Sequence, residues 1–302
     1  MTPQLARPAC GASSPLTLHI VNAARVNPAQ LEKMVCTFYE VYPAMAALLK
    51  TEAPKEVTYS FVDQRDKPPA WVQGGTTVYY STIYLQRMQR DIDVAVHELT
   101  HIIQGQQHKV PPGWIIEGTA DWVRNRLGRY NQDIGWALPT VVAANDRYTD
   151  GYGTAAQFFN WVDTNYRQGK EPVAVALQVG AMQGVVYRSS VWSELTGKSL
   201  AELWSAHSGQ PYVPPASTGL AFYTEPGFEG PAILLEKGRY DMADLLNLEI
   251  SNDSIRSVRV PPGYKLTAYQ HEHFSGAALV LSADASILEA RFDRAISSLI
   301  IE

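Results

Sequence analysis

Residues 97–121 read HELTHIIQGQQHKVPPGWIIEGTAD, and this stretch constrains the fold more than any other part of the chain. His97 and His101 are four apart, so on a helix both imidazoles leave one face and can meet at one metal ion. Glu98 lies beside that face, where a carboxylate can take a proton from metal-bound water. Glu117 comes on a second apolar-periodic segment and can supply a third ligand. Two His and one Glu with one open position is a catalytic zinc arrangement, whereas structural zinc sites close with four protein ligands. The stretch predicts a zinc hydrolase, with peptide bonds as the first substrate class.

The surrounding residues support a helix for the motif. Ile92, Ala95, Val96, Leu99, Ile102 and Ile103 recur at helical spacing, and Gly105 follows as a stop. Asp121 stands four residues after Glu117, on the same face one turn on. A metal-bound imidazole needs its other nitrogen held by a carboxylate or carbonyl, and Asp121 is placed to hold it.

Length and composition fit two soluble domains: 302 residues, 46% hydrophobic and 18% charged. No apolar run reaches the length of a membrane span. The N-terminus MTPQLARPACGASS lacks the apolar centre of a signal peptide; a removed leader, another export route and an intracellular protein all remain compatible with it. The expectation is a secreted or extracellular protein. Cys10 and Cys36 can form one disulfide, worth about 3 kcal/mol by loop closure, or remain two free thiols. Residues 1–212 carry 18 basic and 18 acidic side chains and residues 213–302 carry 7 and 12, so the net charge of −5 resides in the tail. Neither part has a basic stripe, which argues against nucleic acid as a partner.

Residues 16–22, 56–63 and 76–85 have strand patterning, and 27–50 has helical patterning with a break expected near Pro43. The strand over 76–85 precedes the HELTH helix; as an edge strand it could align an extended substrate by adding it to the sheet, and as a plain core strand it would not. Helices are expected over 114–127, 151–166, 172–183 and 187–207, the last containing a capping box at Ser199–Glu202. Residues 209–218 are rich in Pro, Ser and Gly and read as a linker, dividing a domain at 1–208 from one at 219–302.

The first of these resembles the plant basic secretory protein family of zinc metallopeptidases, which has bacterial members. HELTH, GWIIEGTADWVR, GYGTAAQFFNWV and VWSELTGKSLAELW carry the resemblance, in the family's order, over most of residues 90–207. It implies an α+β zincin-like domain, with a small N-terminal sheet and a helical C-terminal part. It also implies a gluzincin-like site with His97, His101 and Glu117 on zinc and Glu98 as the catalytic acid/base. In the thermolysin type of gluzincin, which HELTH with a later E-x-x-x-D also resembles, the residue matching Asp121 buttresses a zinc-bound His. This chain is acidic overall, so nothing is carried over that depends on positive charge. Tyr152, at the start of GYGTAAQFF, is the candidate donor to the oxyanion, with Tyr148 and Tyr130 competing.

The tail has its own repeat. Tyr223-TEPG-Phe228-Glu-Gly230 recurs as Tyr269-QHEH-Phe274-Ser-Gly276, 46 residues on, and each copy leads to a second shared element, NDSIRSVRV at 252–260 and DRAISSLII at 293–301. This is similar to a βγ-crystallin domain, an all-β sandwich of two Greek-key motifs. Microbial members bind calcium through N/D-N/D-x-x-S/T-S, which makes Asp253, Ser254, Asp293 and Ser297 candidate ligands. Each copy carries an arginine inside the element, Arg256 at the fifth position of the first and Arg294 at the second position of the second. A cation there repels calcium and removes an oxygen, so one weak site at most is expected. His271 and His273 share a strand face but make only two ligands, and His108 reads as a solvated loop residue. Three functions follow: a secreted zinc endopeptidase acting on peptide or protein, a zinc-stabilised binding or adhesion protein, and a zinc hydrolase of non-peptide bonds. Glu98 separates the first two, since a binding protein has no chemical use for a carboxylate beside the metal. The oligomeric state is not readable.

Overall fold

Three parallel strands form the middle of a five-stranded sheet, because each returns to it through a helix or a long crossover. The computed structural model describes residues 4–5, 10, 14–64, 68–106, 111–185, 187, 190–209, 219–228, 232–248 and 250–302. Two compact units emerge, residues 1–110 with 114–185 and residues 111–113 with 186–302. The chain is α+β.

In the first unit, β1 (Gln4–Leu5), β2 (Thr17–Val21), β3 (Glu56–Val62), β4 (Ala70–Gln73) and β5 (Thr77–Ser81) join in the order β1-β2-β3-β5-β4. β2, β3 and β5 run parallel, with β1 and β4 antiparallel at the two edges. α1 (Pro28–Leu48) begins where the Asn27 side chain accepts from the Ala29 and Gln30 amides, and it runs on through Pro43 without the expected break. Pro43 faces solvent, while Met34, Phe38, Tyr42 and Met45 are buried on the opposite stripe. Packing on both sides of the proline holds the helix together against a local cost of about 3 kcal/mol. Phe38, Tyr59 and Tyr80 continue that core into the sheet, with ring centroids 6.3 Å and 5.1 Å apart.

The strand expected over 76–85 is shorter, and it is not an edge. β5 stops at Ser81, whose hydroxyl accepts from the Tyr84 amide and opens α2 (Thr82–Arg87). β5 also lies between β3 and β4, so the edge role falls to β4, a strand that four residues of mixed polarity do not announce. The signal for it was Gly74-Gly75, whose positive φ angles of 70° and 77° turn β4 into β5.

α3 (Val94–Gln104) carries HELTH and is buried on nearly every side, with only His101 partly open. α4 (Gly113–Leu127) follows, then α5 (Tyr152–Tyr166) and α6 (Val173–Met182). α4 and α5 approach closely at Gly118, where an added Cβ would stand 2.6 Å from the Ala155 Cβ. Cys10 and Cys36, left open by the sequence, are joined as a disulfide. No helix among the described residues is long and apolar enough to cross a membrane.

Among its described residues the second unit holds three helices and two sheets. The helix expected over 187–207 is two, α7 (Ser190–Thr196) and α8 (Leu200–Ser208), separated at Gly197 (φ 76°) and restarted by the Ser199–Glu202 capping box. Both group with the tail rather than with the first unit, and the Ser251 hydroxyl bonds to the Tyr187 carbonyl. Of the expected linker at 209–218, all but Gly209 lies outside the described residues.

β6 (Leu220–Tyr223), β7 (Ile233–Leu235) and β9 (Ser257–Arg259) make one sheet in the order β7-β6-β9. β8 (Gly238–Tyr240), β10 (Leu266–His271), β11 (Ser275–Leu281) and β12 (Ser298–Ile301) make the other, β11-β10-β12-β8, with α9 (Met242–Asn247) between β8 and β9 in sequence. β8 belongs to the first repeat and pairs with β12 of the second, so the halves interleave around a shared core that includes Phe222, Val258, Phe292 and Leu299. Both corners repeat in detail. Tyr223–Phe228 and Tyr269–Phe274 are edge-on pairs, and Phe228 and Phe274 have φ of 64° and 56°. Gly276 has φ 81°, whereas Gly230 lies outside the described residues.

Candidate metal centre

His97 and His101, one turn apart on α3, aim their Nε2 atoms at Glu117 on α4. The two Nε2 atoms are 3.1 Å apart, and Glu117 Oε2 is 3.2 Å from the first and 3.5 Å from the second. Ligand atoms held tetrahedrally at about 2.0–2.1 Å from zinc are about 3.3–3.4 Å from one another. The three side chains therefore fit a zinc ion without moving.

The proton inventory points the same way. His101 Nδ1 lies 2.7 Å from Gln104 Oε1, and Gln104 Nε2 donates to the Ile116 carbonyl at 3.0 Å. The second bond sets which end of the amide is oxygen, so His101 carries its proton on Nδ1. His97 Nδ1 meets Asp121 Oδ1 at 2.7 Å and donates there in the same way. Both Nε2 atoms then present lone pairs to each other and to a carboxylate oxygen. Three acceptors facing inward repel unless a cation lies among them. In the metal-free protein a proton fills that role. Burial would lower the His97 pKa, yet the bonds to Asp121 and Glu117 raise it to about 10. Burial would raise Glu117, and the two imidazoles bring it down to about 2.

Glu98 is 5% exposed and its Oε2 has no hydrogen-bond partner among the described residues. Burial raises its pKa above the usual carboxylate range, while the imidazoles pull the other way. It lines the same cleft as the three ligand candidates, a cavity of about 520 Å³ with β4 along one rim.

Tyr152 also lines this cleft, its ring parallel to that of His97 at 11° and 6.0 Å between centroids. Its backbone is left-handed (φ 44°), a conformation that costs a bulky residue about 1–3 kcal/mol and that the surroundings must impose. The competing tyrosines are placed elsewhere. Tyr148 is buried against Trp114, centroids 4.9 Å apart, and the Tyr130 ring sits under the Lys33 ammonium. His108 lies outside the described residues.

Gln104 was not foreseen. Its only sequence signal was a side-chain amide three residues after His101, on the same helical face. Arg124 and Asp91, a buried ion pair at 2.7 Å in the cleft wall, were missed because they are 33 residues apart.

The four calcium candidates are not brought together. Asp253 Oδ1 accepts from the Ser297 hydroxyl at 3.4 Å, and that hydroxyl also donates to the Gln270 carbonyl at 2.9 Å. Ser254 turns inward to the Ser251 carbonyl, and Asp293 is held by Arg256 through Nε at 2.9 Å and Nη2 at 3.1 Å. The two loops face each other reciprocally, Asp253 N to Ile296 O and Arg294 N to Ile255 O. Each second-position residue therefore sits beside the other copy's fifth position, so both arginines fall at one location and Asp253 and Ser297 at the other. His273 bonds to Asp241, and the His271 ring packs over Gly276; neither joins a third ligand among the described residues.

Three inward acceptors from two helices, beside a buried carboxylate, make a group that could hold a metal ion. The family model described as "Peptidase of plants and bacteria" (BSP) matches residues 17–207. That is more than half of the chain, which thus belongs to this peptidase family. A second set of likenesses is to βγ-crystallins. The chain is 42% identical over 67 residues to development-specific protein S of Myxococcus xanthus, covering 22% of this chain and 38% of that protein. It is 36% identical over 74 residues to gamma-crystallin F of Bos taurus, covering 23% of this chain and 41% of that one. It thus spans about two-fifths of the length of these curated relatives. Among solved structures, the N-terminal domain of protein S matches at 32% identity and a TM-score of 0.28, over 28% of this chain and 96% of that domain. A βγ-crystallin domain from Clostridium beijerinckii matches at 24% and 0.27, over 28% and 97%.

Proposed function

We propose that the chain is a zinc-dependent peptidase, an endopeptidase, in which His97, His101 and Glu117 hold the metal and Glu98 is the general acid/base. The observation that carries this is the convergence of three acceptors, with both imidazole tautomers set by Asp121 and Gln104, beside a buried carboxylate with an unpaired oxygen. Bound zinc would supply Lewis-acid polarisation of the scissile carbonyl and a lowered pKa for the attacking water.

The protein's own groups do the remainder. Glu98 accepts the proton as water attacks the carbonyl carbon, then delivers it to the leaving nitrogen when the C–N bond breaks, leaving a carboxylic acid and an amine. Its raised pKa suits both halves of that exchange. The Tyr152 hydroxyl donates to the developing oxyanion, a contribution of about 3 kcal/mol for such donors. The substrate backbone runs along β4. Ser81 N donates to Pro69 O at 2.9 Å, so by alternation Trp71 and Gln73 pair with β5 while Ala70 and Val72 turn their backbone groups toward the free edge.

Calcium, in this reading, binds once in the crystallin-like repeat, through the Asp253 carboxylate, the Ser297 hydroxyl and the Gln270 carbonyl. The other location is held by the Arg256–Asp293 pair, a fixed internal cation. The disulfide supports an oxidising compartment, and with it secretion.

The test is the metal and the carboxylate together. Purified protein should hold about one zinc, and Glu98→Ala should keep it while losing hydrolysis of unfolded protein substrates about 100- to 10,000-fold. A variant that cleaves as well as the parent removes Glu98 from the mechanism. A parent that binds zinc and cleaves nothing favours the binding-protein reading, or a non-peptide bond.

A further inference from the structure

Glu117, Asp121 and Arg124 fall at i, i+4 and i+7 on α4, one stripe facing the cleft. The first is a proposed metal ligand and the second holds His97. The third has no assigned role. Arg124 is 6% exposed, yet it lines the cleft wall. Its Nε donates to Asn131 Oδ1 at 2.9 Å and its Nη2 to Asp91 Oδ1 at 2.7 Å, while the Trp136 ring covers the guanidinium face at 4.3 Å. Nη1 has no partner among the described residues. Asp91 cannot turn to serve it, because Oδ1 also accepts from the Val94 amide at 3.2 Å and Oδ2 from the Tyr84 hydroxyl at 2.5 Å.

A guanidinium clamped on three sides is rigid, and its remaining donor edge has a set direction. Asp91 already balances the charge, so that edge needs no second anion and is satisfied by one acceptor oxygen. Seven residues of helix place Arg124 about 10 Å along α4 from Glu117. An extended peptide advances about 3.3 Å per residue, so this is about three residues of substrate.

We propose that Arg124 anchors the substrate, its Nη1 donating to an acceptor oxygen of the bound peptide about three residues from the scissile bond, either a main-chain carbonyl or a terminal carboxylate. This rests on the peptidase reading.

The test uses zinc-loaded full-length protein and peptides built around one cleaved bond, ending one to five residues from it on either side. Each is made as a C-terminal acid and as an amide. In the parent, KM should fall about ten- to a hundredfold when the peptide first reaches the third residue on one side. An acid and amide that gain equally identify a carbonyl; a gain for the acid alone identifies a terminal carboxylate. Arg124→Lys should remove that step and leave kcat within about twofold. The double variant Asp91→Asn/Arg124→Gln, which removes both buried charges together, should do the same; melting and zinc content check that each variant folds. No length step in the parent overturns the proposal without any variant, as does a step that survives in a folded, zinc-bound Arg124→Lys protein. If the parent cleaves no peptide, the peptidase reading fails. The same peptides then report on Arg124 through quenching of tryptophan emission: a length step in affinity sustains the anchor as a binding subsite, and its absence removes it.

Discussion

Gln104 Oε1 accepts from His101 Nδ1 at 2.7 Å, and through that bond a residue of no catalytic chemistry decides which nitrogen of His101 faces the proposed metal. Asp121 does the same for His97 with a full negative charge. The two imidazoles are thus oriented by unequal partners, one neutral and one ionic, and the carboxylate-bound ring should be the more basic ligand.

Removing the amide should therefore cost metal affinity. Gln104→Ala frees the His101 ring to turn and to change tautomer, and zinc should bind about 10- to 100-fold more weakly. Competition against a chelator of known affinity measures this. Gln104→Glu, which still accepts from Nδ1, should stay within a few-fold of the parent. Equal loss in both variants would mean that Gln104 acts by packing alone.

Zinc should displace a proton. His97 has a folded pKa of about 10 against an ordinary 6.5, so at pH 8 the metal-free cluster is protonated and must release that proton to bind. Calorimetry in buffers of different ionisation heat should give close to one proton released per zinc, with apparent affinity rising about tenfold per pH unit between 6 and 9. The sign reverses for the metal-free fold. A raised folded pKa contributes stability that is complete below pH 6.5 and lost as pH climbs through about 10. Metal-free protein should melt lower at pH 10 than at pH 6.5, and zinc should abolish most of that difference.

Gly118→Val tests the contact between α4 and α5. Helix propensity favours valine over glycine, but a Cβ here stands 2.6 Å from Ala155 and 3.1 Å from the Phe159 ring. Overpacking should win, by about 1–3 kcal/mol. Thermal melting of the variant should fall by several degrees, and a rise would show that the helices separate freely.

Calcium should bind to one site. A titration followed by melting should fit one ion, and Asp253→Asn should remove the shift while Arg256→Ser leaves it in place. Retention of the shift in Asp253→Asn, or its loss in Arg256→Ser, would assign the ion elsewhere.

The disulfide closes a separation of 26 residues between the N-terminal segment and α1, with Cα atoms 5.5 Å apart. Loop-closure entropy gives it about 3–4 kcal/mol. Reduction, or Cys36→Ser, should lower the melting temperature by about 10 °C for a unit of this size. A change under about 2 °C would indicate that the segment is held by other contacts.

How much of this could be read from residues alone differs by element. The HELTH helix, the spacing of Glu117 and Asp121, and the duplicated tyrosine–phenylalanine corners were readable because each is a local period. A helix places i and i+4 on one face whatever surrounds it. The unbroken α1, the short β5 and the split between α7 and α8 were not, because a proline tolerated on a solvent face, a serine cap and a left-handed glycine compete with local preference, and packing decides between them.

The sequence by itself determined which side chains are available for chemistry and their spacing along each helix and strand. Only the tertiary structure decided which of them meet. It brings α3 and α4 together so that three acceptors lie 3.1–3.5 Å apart, and it puts β4, not β5, at the sheet edge. It also pairs Arg256 with Asp293 across the two repeats, concentrating both arginines at one location and sparing the other. The physical reason is the same in each case. Contacts within an element follow from backbone geometry, whereas contacts between elements depend on how buried faces pack, and no residue spacing records that.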